Sequence, residues 1–310
     1  MLALVFPGQG SQSVGMLAQL ALEFSEVEQT FAEASAVLGY DLWQVIQNGP
    51  DSELQLTTIT QPAMLSAGVA VWRVWQAAGG PTPMVMAGHS LGEYSALVCA
   101  GALPFAQAVQ LVRQRGEYMQ QAVPVGVGAM AAVLGLERAA VERICADAAG
   151  SQQTVAVANY NAPLQSVIAG HADAVARASA AAQASGAKRV IALPVSAPFH
   201  CALMRPAAER LAPAIVATSL SEPGIQVINN VDVEAATEPD AIRDALVRQI
   251  YSPVRWVETV QAMAARGVTH MVECGPGKVL AGLTKRIHSE LDSLSVQDPP
   301  SLRQALAELS

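Results

Sequence analysis

Ser90 stands in the pentapeptide Gly88-His89-Ser90-Leu91-Gly92, which has the G-x-S-x-G spacing of a serine presented on a sharp turn between a strand and a helix. Such a turn serves nucleophilic chemistry: the hydroxyl projects beyond the backbone, and small flanking residues let strand and helix pass close together. A serine is a weak nucleophile until a base takes its proton, so a histidine is the next residue to find. The chain has five. His89 adjoins Ser90, and neighbours in an extended segment point to opposite faces. His171 lies beside a predicted helix, and His270 and His288 fall in a predicted strand and a polar tail. His200, in the loop Ser196-Ala197-Pro198-Phe199-His200, is the best-placed candidate. The acids between the two residues, Glu93, Glu117, Glu137, Glu142, Asp147 and Asp173, fall almost entirely on predicted helices rather than at strand ends. The expectation is therefore a Ser-His dyad, its imidazole oriented by a main-chain carbonyl or an amide side chain.

Arg115 is the third residue of interest. Leu111, Arg115 and Met119 recur at intervals of four with Val112 beside them, which places the arginine on the apolar face of a helix predicted over 104–123. An unpaired guanidinium there is costly, so an anion is expected to meet it, unless the stem packs and the head reaches water or a structural carboxylate. Arg113 is expected on the solvated side, able to pair with Glu117 one turn on. Two loops carry glycines without the spacing that phosphate recognition needs. Pro7-Gly8-Gln9-Gly10 has its third glycine in the wrong place, and Gly275-Pro276-Gly277-Lys278 lacks both the spacing and the following hydroxyl residue.

These residues need elements to position them. Apolar runs at 2–6 and 85–87 read as buried strands, the second feeding the Ser90 turn and a helix over 91–100 whose free amides point at the serine. Helical spacing covers 16–48 with a break near Gly39, and Thr60 with Pro62 is expected to open a helix running to Gln76. From Gly126 the pattern changes. Strands at 129–134, 155–159, 166–169 and 190–195 alternate with helices at 137–148 and 172–185 in the order βαββαβ. Helices at 203–218, 239–250 and 257–266 then frame strands at 225–229 and 270–274, the second expected to be the last. The predicted fold class is α/β: a large α/β-hydrolase-like domain with a parallel sheet (1–126 and 197–310), interrupted by an inserted ferredoxin-like subdomain (127–196).

Composition excludes several classes. With 310 residues, 52% of them hydrophobic and 14% charged, the chain is globular rather than disordered. A net charge of −8 argues against general affinity for nucleic acid or anionic membranes. The four cysteines follow no metal-binding or disulfide spacing, so no metal site is expected and a reducing cytoplasm is the expected compartment. Met1 to Phe6 lacks a basic leader, and no later segment has membrane-spanning length.

Six motifs in one order, Pro7-Gly8-Gln9-Gly10-Ser11-Gln12, Gly88-His89-Ser90-Leu91-Gly92-Glu93, Gln114-Arg115-Gly116, Asn159-Tyr160-Asn161, Pro198-Phe199-His200 and Gly275-Pro276-Gly277-Lys278, resemble the malonyl-CoA:acyl carrier protein transacylase family nearly end to end. The resemblance implies that Ser90 is the malonylated nucleophile and His200 its base and acid, with Gln249 holding the histidine through its main chain. It further implies an oxyanion hole from the amides of Gln9 and Leu91, and Arg115 as a clamp on the malonyl carboxylate, with Met119, Phe199 and Asn161 around the acyl group. The implied partners are malonyl-CoA and acyl carrier protein; coenzyme A thioester is a substrate, no cofactor is expected, and a monomer is the simplest state. An acyltransferase of polyketide or malonate decarboxylase metabolism, or a serine thioesterase, stays open beside fatty acid synthesis. Many bacterial members carry serine where this chain has Phe199. In modular relatives phenylalanine there accompanies preference for malonyl over methylmalonyl, which implies a narrowed pocket. Lys188-Arg189 and Lys285-Arg286 are the candidate docking points for an acidic carrier protein.

Overall fold

The computed structural model describes residues 1–195 and 197–309; Ser196, in the loop before His200, and Ser310 lie outside the described residues. β1 (Leu2–Phe6) leads through α1 (Ala18–Glu23), α2 (Glu26–Leu38), α3 (Leu42–Asn48) and α4 (Asp51–Leu54) to the long helix α5 (Thr57–Ala77). β2 (Val85–Gly88), the elbow helix α6 (Gly92–Cys99) and α7 (Phe105–Gln121) follow. The chain then builds β3 (Gly128–Leu134), α8 (Arg138–Ala148), β4 (Val155–Ala162), β5 (Gln165–His171), α9 (Ala172–Ala184) and β6 (Arg189–Ala192). It returns through α10 (Arg205–Val216), β7 (Gln226–Ile228), α11 (Pro239–Gln249), α12 (Trp256–Ala265), β8 (His270–Cys274), α13 (Val279–Ile287), β9 (Asp292–Val296) and α14 (Pro299–Glu308).

Five strands form a parallel sheet in the order β7-β2-β1-β8-β9. β1 and β2 are buried along their whole length, as strands covered by helices on both faces must be, which is why they read as unbroken apolar runs. The other four strands form an antiparallel sheet in the order β4-β5-β3-β6. Its own core joins Ala131, Val133, Val157 and Ile168 of the sheet to Val141 and Cys145 of α8 and Val175 and Ala178 of α9. This is the ferredoxin-like unit within an α/β protein. Main-chain bonds stitch the two sheets' layers together, Val254 N donating to Ala158 O and Tyr160 N to Val254 O, each at 2.9 Å.

The structure corrects several local expectations. α5 starts at Thr57, so Pro62 lies inside the helix and Thr60 is not its cap; the Thr60 hydroxyl bonds the carbonyls of Leu54 and Leu56 instead. β8 is not the last strand. β9 pairs with it at the sheet edge, and its alternation of polar and apolar residues, natural where one side faces solvent, hides it from a search for apolar runs. Arg113 donates to the Leu38 carbonyl at 3.1 Å, and Glu117 accepts from Gln121. The four cysteines are free and buried. Among the described residues no helix is long and apolar enough to cross a membrane.

Candidate active site

The carboxyl ends of β1, β2 and β7 open on one crevice, where open parallel sheets place their ligands. β2 ends in the elbow. Ser90 adopts φ 53°, the left-handed region, at a cost of about 1–2 kcal/mol for a side chain with a Cβ. Its neighbours have to be glycine for a separate reason. A Cβ on Gly88 would sit 1.8 Å from the Gly92 carbonyl carbon, and one on Gly92 would sit 2.0 Å from the Phe6 carbonyl oxygen.

His200 reaches the serine across the crevice, its Nε2 2.6 Å from Ser90 Oγ, and its Nδ1 lies 2.9 Å from the main-chain oxygen of Gln249. A carbonyl can only accept, so Nδ1 carries the proton and the Nε2 lone pair faces the hydroxyl. Burial, reinforced by the Arg115 cation, pushes the imidazole down to about 3, and it is therefore neutral and ready to accept. The structure brings together the two residues expected to form a dyad, with a main-chain carbonyl where a triad would have a carboxylate. His89, as expected, turns away: its Nε2 donates to Asn161 Oδ1 at 2.8 Å and its ring lies 5.7 Å from that of Trp256.

Arg115 is 2% exposed and sits beside the nucleophile. Nη2 donates to Ser90 Oγ at 3.2 Å and to Gln249 Oε1 at 3.0 Å, while Nη1 donates to Gln61 Oε1 at 2.9 Å. Tyr94 offers its ring face 5.4 Å away. All these partners are neutral. The guanidinium forms no ion pair among the described residues, and its Nε–H is buried without an acceptor. Uncharged acceptors fix its direction without cancelling its charge, so the site keeps a cation in reserve for an anion.

Ser90 is also held through its backbone. Its N–H donates to Asn230 Oδ1 at 2.7 Å, and its carbonyl accepts from Gln249 Nε2 at 3.0 Å. These two bonds offset the strain of the elbow. The amides of Gln9 and Leu91 have no acceptor among the described residues, and both residues line the cavity over Ser90. The other amides at the start of α6 are not free. Those of Gly92, Glu93 and Tyr94 bond back to His89, Ser90 and Leu91, which narrows the expected fan of donors to Leu91 alone.

The cavity measures about 130 Å³, and Met119, Met130, Leu193, Val195 and Phe199 form its apolar wall. Asn161 is not part of that wall; Asn159, two residues earlier on β4, is. Sequence reasoning also missed Gln61, Asn230 and the contribution of β3 and the segment after β6. Asn230 had a legible signal, since it follows a predicted strand of the parallel sheet and strand ends at that edge face the crevice. No group of three or more histidine, cysteine or acidic side chains with the placement to hold a metal ion occurs among the described residues.

The acyl transferase domain family matches residues 3–302. The malonyl CoA-acyl carrier protein transacylase of Salmonella typhimurium is 57% identical over 306 residues, 99% of each chain. Among solved structures, an acyl carrier protein S-malonyltransferase from Vibrio cholerae matches with a TM-score of 0.96 and 58% identity, covering 98% of this chain and 99% of that one. A malonyl-transacylase solved in complex with a type II polyketide acyl-carrier protein matches with a TM-score of 0.97 and 55% identity over 99% of both chains.

Proposed function

The chain belongs to the acyl transferase domain family, and from that premise we propose that it transfers malonyl from malonyl-CoA to the phosphopantetheine thiol of acyl carrier protein, supplying fatty acid synthesis. Ser90 Oγ attacks the thioester carbonyl while its proton passes to His200 Nε2. The amides of Gln9 and Leu91 receive the oxyanion, the interaction expected to contribute most, at about 2.7–4 kcal/mol for each donor. Collapse expels the coenzyme A thiolate, which takes the proton from Nε2, and leaves a malonyl ester on Ser90. The carrier thiol then attacks this ester with the same base and the same oxyanion site, in a ping-pong sequence. Arg115 clamps the free carboxylate of the acyl group, and Met119, Phe199 and the insert's side chains enclose it. Gln249 holds the base through its carbonyl. Residues 127–196 serve as the inserted subdomain and 1–126 with 197–310 as the catalytic one. No cofactor enters the scheme, and a monomer in the cytoplasm is the proposed setting.

The observation that carries this reading is the buried, neutrally solvated guanidinium 3.2 Å from the nucleophile, a geometry that rewards an acyl group bearing a carboxylate and offers nothing to a plain ester. Intact mass after mixing with malonyl-CoA tests it. A persistent malonyl adduct is expected that requires Ser90, falls at least about tenfold in Arg115→Ala, and disappears on adding acyl carrier protein. An adduct that decays equally fast without carrier would make the protein a hydrolase. The polyketide carrier in the complexed relative makes such a carrier the second acceptor to assay beside a fatty acid one.

A further inference from the structure

A buried carboxylate beside the dyad has no part in the scheme above. Glu93, in the first turn of α6, is 2% exposed. Its Oε2 accepts from two elements at once: the main-chain N–H of Asn230, after β7, at 2.8 Å, and Gln249 Nε2, at the end of α11, at 2.9 Å. Both donor residues return to the nucleophile, Asn230 through its Oδ1 and Gln249 through the same Nε2. Burial pushes the Glu93 carboxyl up to about 7. With the proton on Oε1, Oε2 remains an acceptor, so either form can serve.

The consequence is an orientation. A glutamine side-chain amide can be turned over, exchanging its donor and acceptor ends. On one side of Gln249 stand the Glu93 carboxylate and the Ser90 carbonyl, which only accept here, so Nε2 must face them and Oε1 must face Arg115 Nη2 at 3.0 Å. Turned over, the amide would present its own N–H groups to the guanidinium and push it away. His200 is unaffected by that choice because it bonds the main-chain oxygen of Gln249.

We infer that Glu93 is a positioning residue for substrate selection: by fixing which way the Gln249 amide faces, it keeps Arg115 aimed at the acyl position over Ser90 and so raises the preference for acyl donors that carry a carboxylate. The inference rests on the reading of Arg115 as the carboxylate clamp and deepens it.

The test compares two acyl donors, malonyl-CoA and the neutral p-nitrophenyl acetate, whose reaction needs Ser90 and His200 but no cation. Glu93→Asp keeps the charge but is too short to reach both donors. Its kcat/KM for malonyl-CoA is expected to fall about tenfold or more, mainly through KM, while acetylation by the nitrophenyl ester stays within about threefold of the wild type. Glu93→Gln keeps the length and one acceptor oxygen, and both reactions are expected to stay within about threefold. Glu93→Met, which keeps the length but removes both acceptor oxygens, should show the same split as Glu93→Asp, and supplies the answer if the aspartate variant does not fold. Equal losses on both donors, no loss in Glu93→Asp, or a Glu93→Gln variant as impaired as Glu93→Asp would each overturn the inference. Absence of malonylation in the wild type would instead remove the reading of Arg115 on which it stands.

Discussion

Uncharged acceptors around a buried cation are the distinguishing feature at the scale of single residues. Gln61 and Gln249 hold Arg115 by their amide oxygens, so its direction is set before any ligand arrives and its charge stays available. The same cation lowers the proton affinity of His200, which burial had already brought down, to about 3. The base is therefore neutral throughout the working range. We expect the rate of Ser90 acylation to show no inflection near 6.5, the usual histidine value, and to decline only as the pH approaches about 3; a loss of activity centred near 6.5 would contradict this. Phe199 stands in the cavity wall with Met130, Leu193 and Val195. Phe199→Ser enlarges a space of about 130 Å³, and the ratio of kcat/KM for malonyl over methylmalonyl is expected to drop about tenfold, the effect of one methyl group in an apolar pocket. An unchanged ratio would show that the wall there does not select.

At the scale of elements, helix N-termini govern where anions can settle. The start of α6 spends its amides on the elbow itself and leaves only that of Leu91 facing the cavity. The start of α13 follows Gly275-Pro276-Gly277-Lys278, the loop that looks superficially like a phosphate site. There Glu273 occupies the position a phosphate would take: its Oε2 accepts the Ala281 amide at 2.8 Å, with the amides of Leu280 and Val279 also contributing. Burial outweighs these donors and pushes the carboxyl up to about 7. A folded-state value raised above the ordinary carboxylate range means that its favourable contribution is full below about 4.5, and is lost as the pH rises through about 7. Glu273→Gln, which cannot ionise, should therefore gain in Tm relative to the wild type between pH 5 and pH 8. A Tm difference independent of pH would show that the ionised carboxylate is better accommodated than its burial implies.

At the scale of the whole molecule, charge and layering set how an acidic carrier protein can approach a chain of net charge −8. Lys188 and Arg189 on the insert, and Lys285 and Arg286 on α13, are exposed, and Arg286 spends one donor on Gln165. Charge reversal at a true docking pair should raise KM for the carrier severalfold and leave KM for malonyl-CoA alone; equal effects on both would exclude that pair. The two sheets also divide what the sequence reveals. Buried parallel strands read as apolar runs and the insert as βαββαβ, because each pattern repeats over neighbouring residues; β9, half exposed at an edge, did not. The site divides in the same way. Ser90 declares itself by a local motif, Arg115 by an apolar spacing of four, and His200 by its place in a loop after the insert. Glu93 stayed silent because its meaning lies in a bond to Gln249, 156 positions away; the strand end before Asn230 was legible, but its bond to Ser90, 140 positions away, was not, since no periodicity records such a meeting. The sequence by itself determined the serine turn, the buried arginine and the contrast between apolar runs and the βαββαβ pattern, since each follows from local sterics or from which side chains must avoid water. The tertiary structure alone decided which way the Gln249 amide faces, which amides are left free for an oxyanion, and which asparagine of β4 lines the cavity, because hydrogen-bond partners are chosen only when distant strands and helices are brought together.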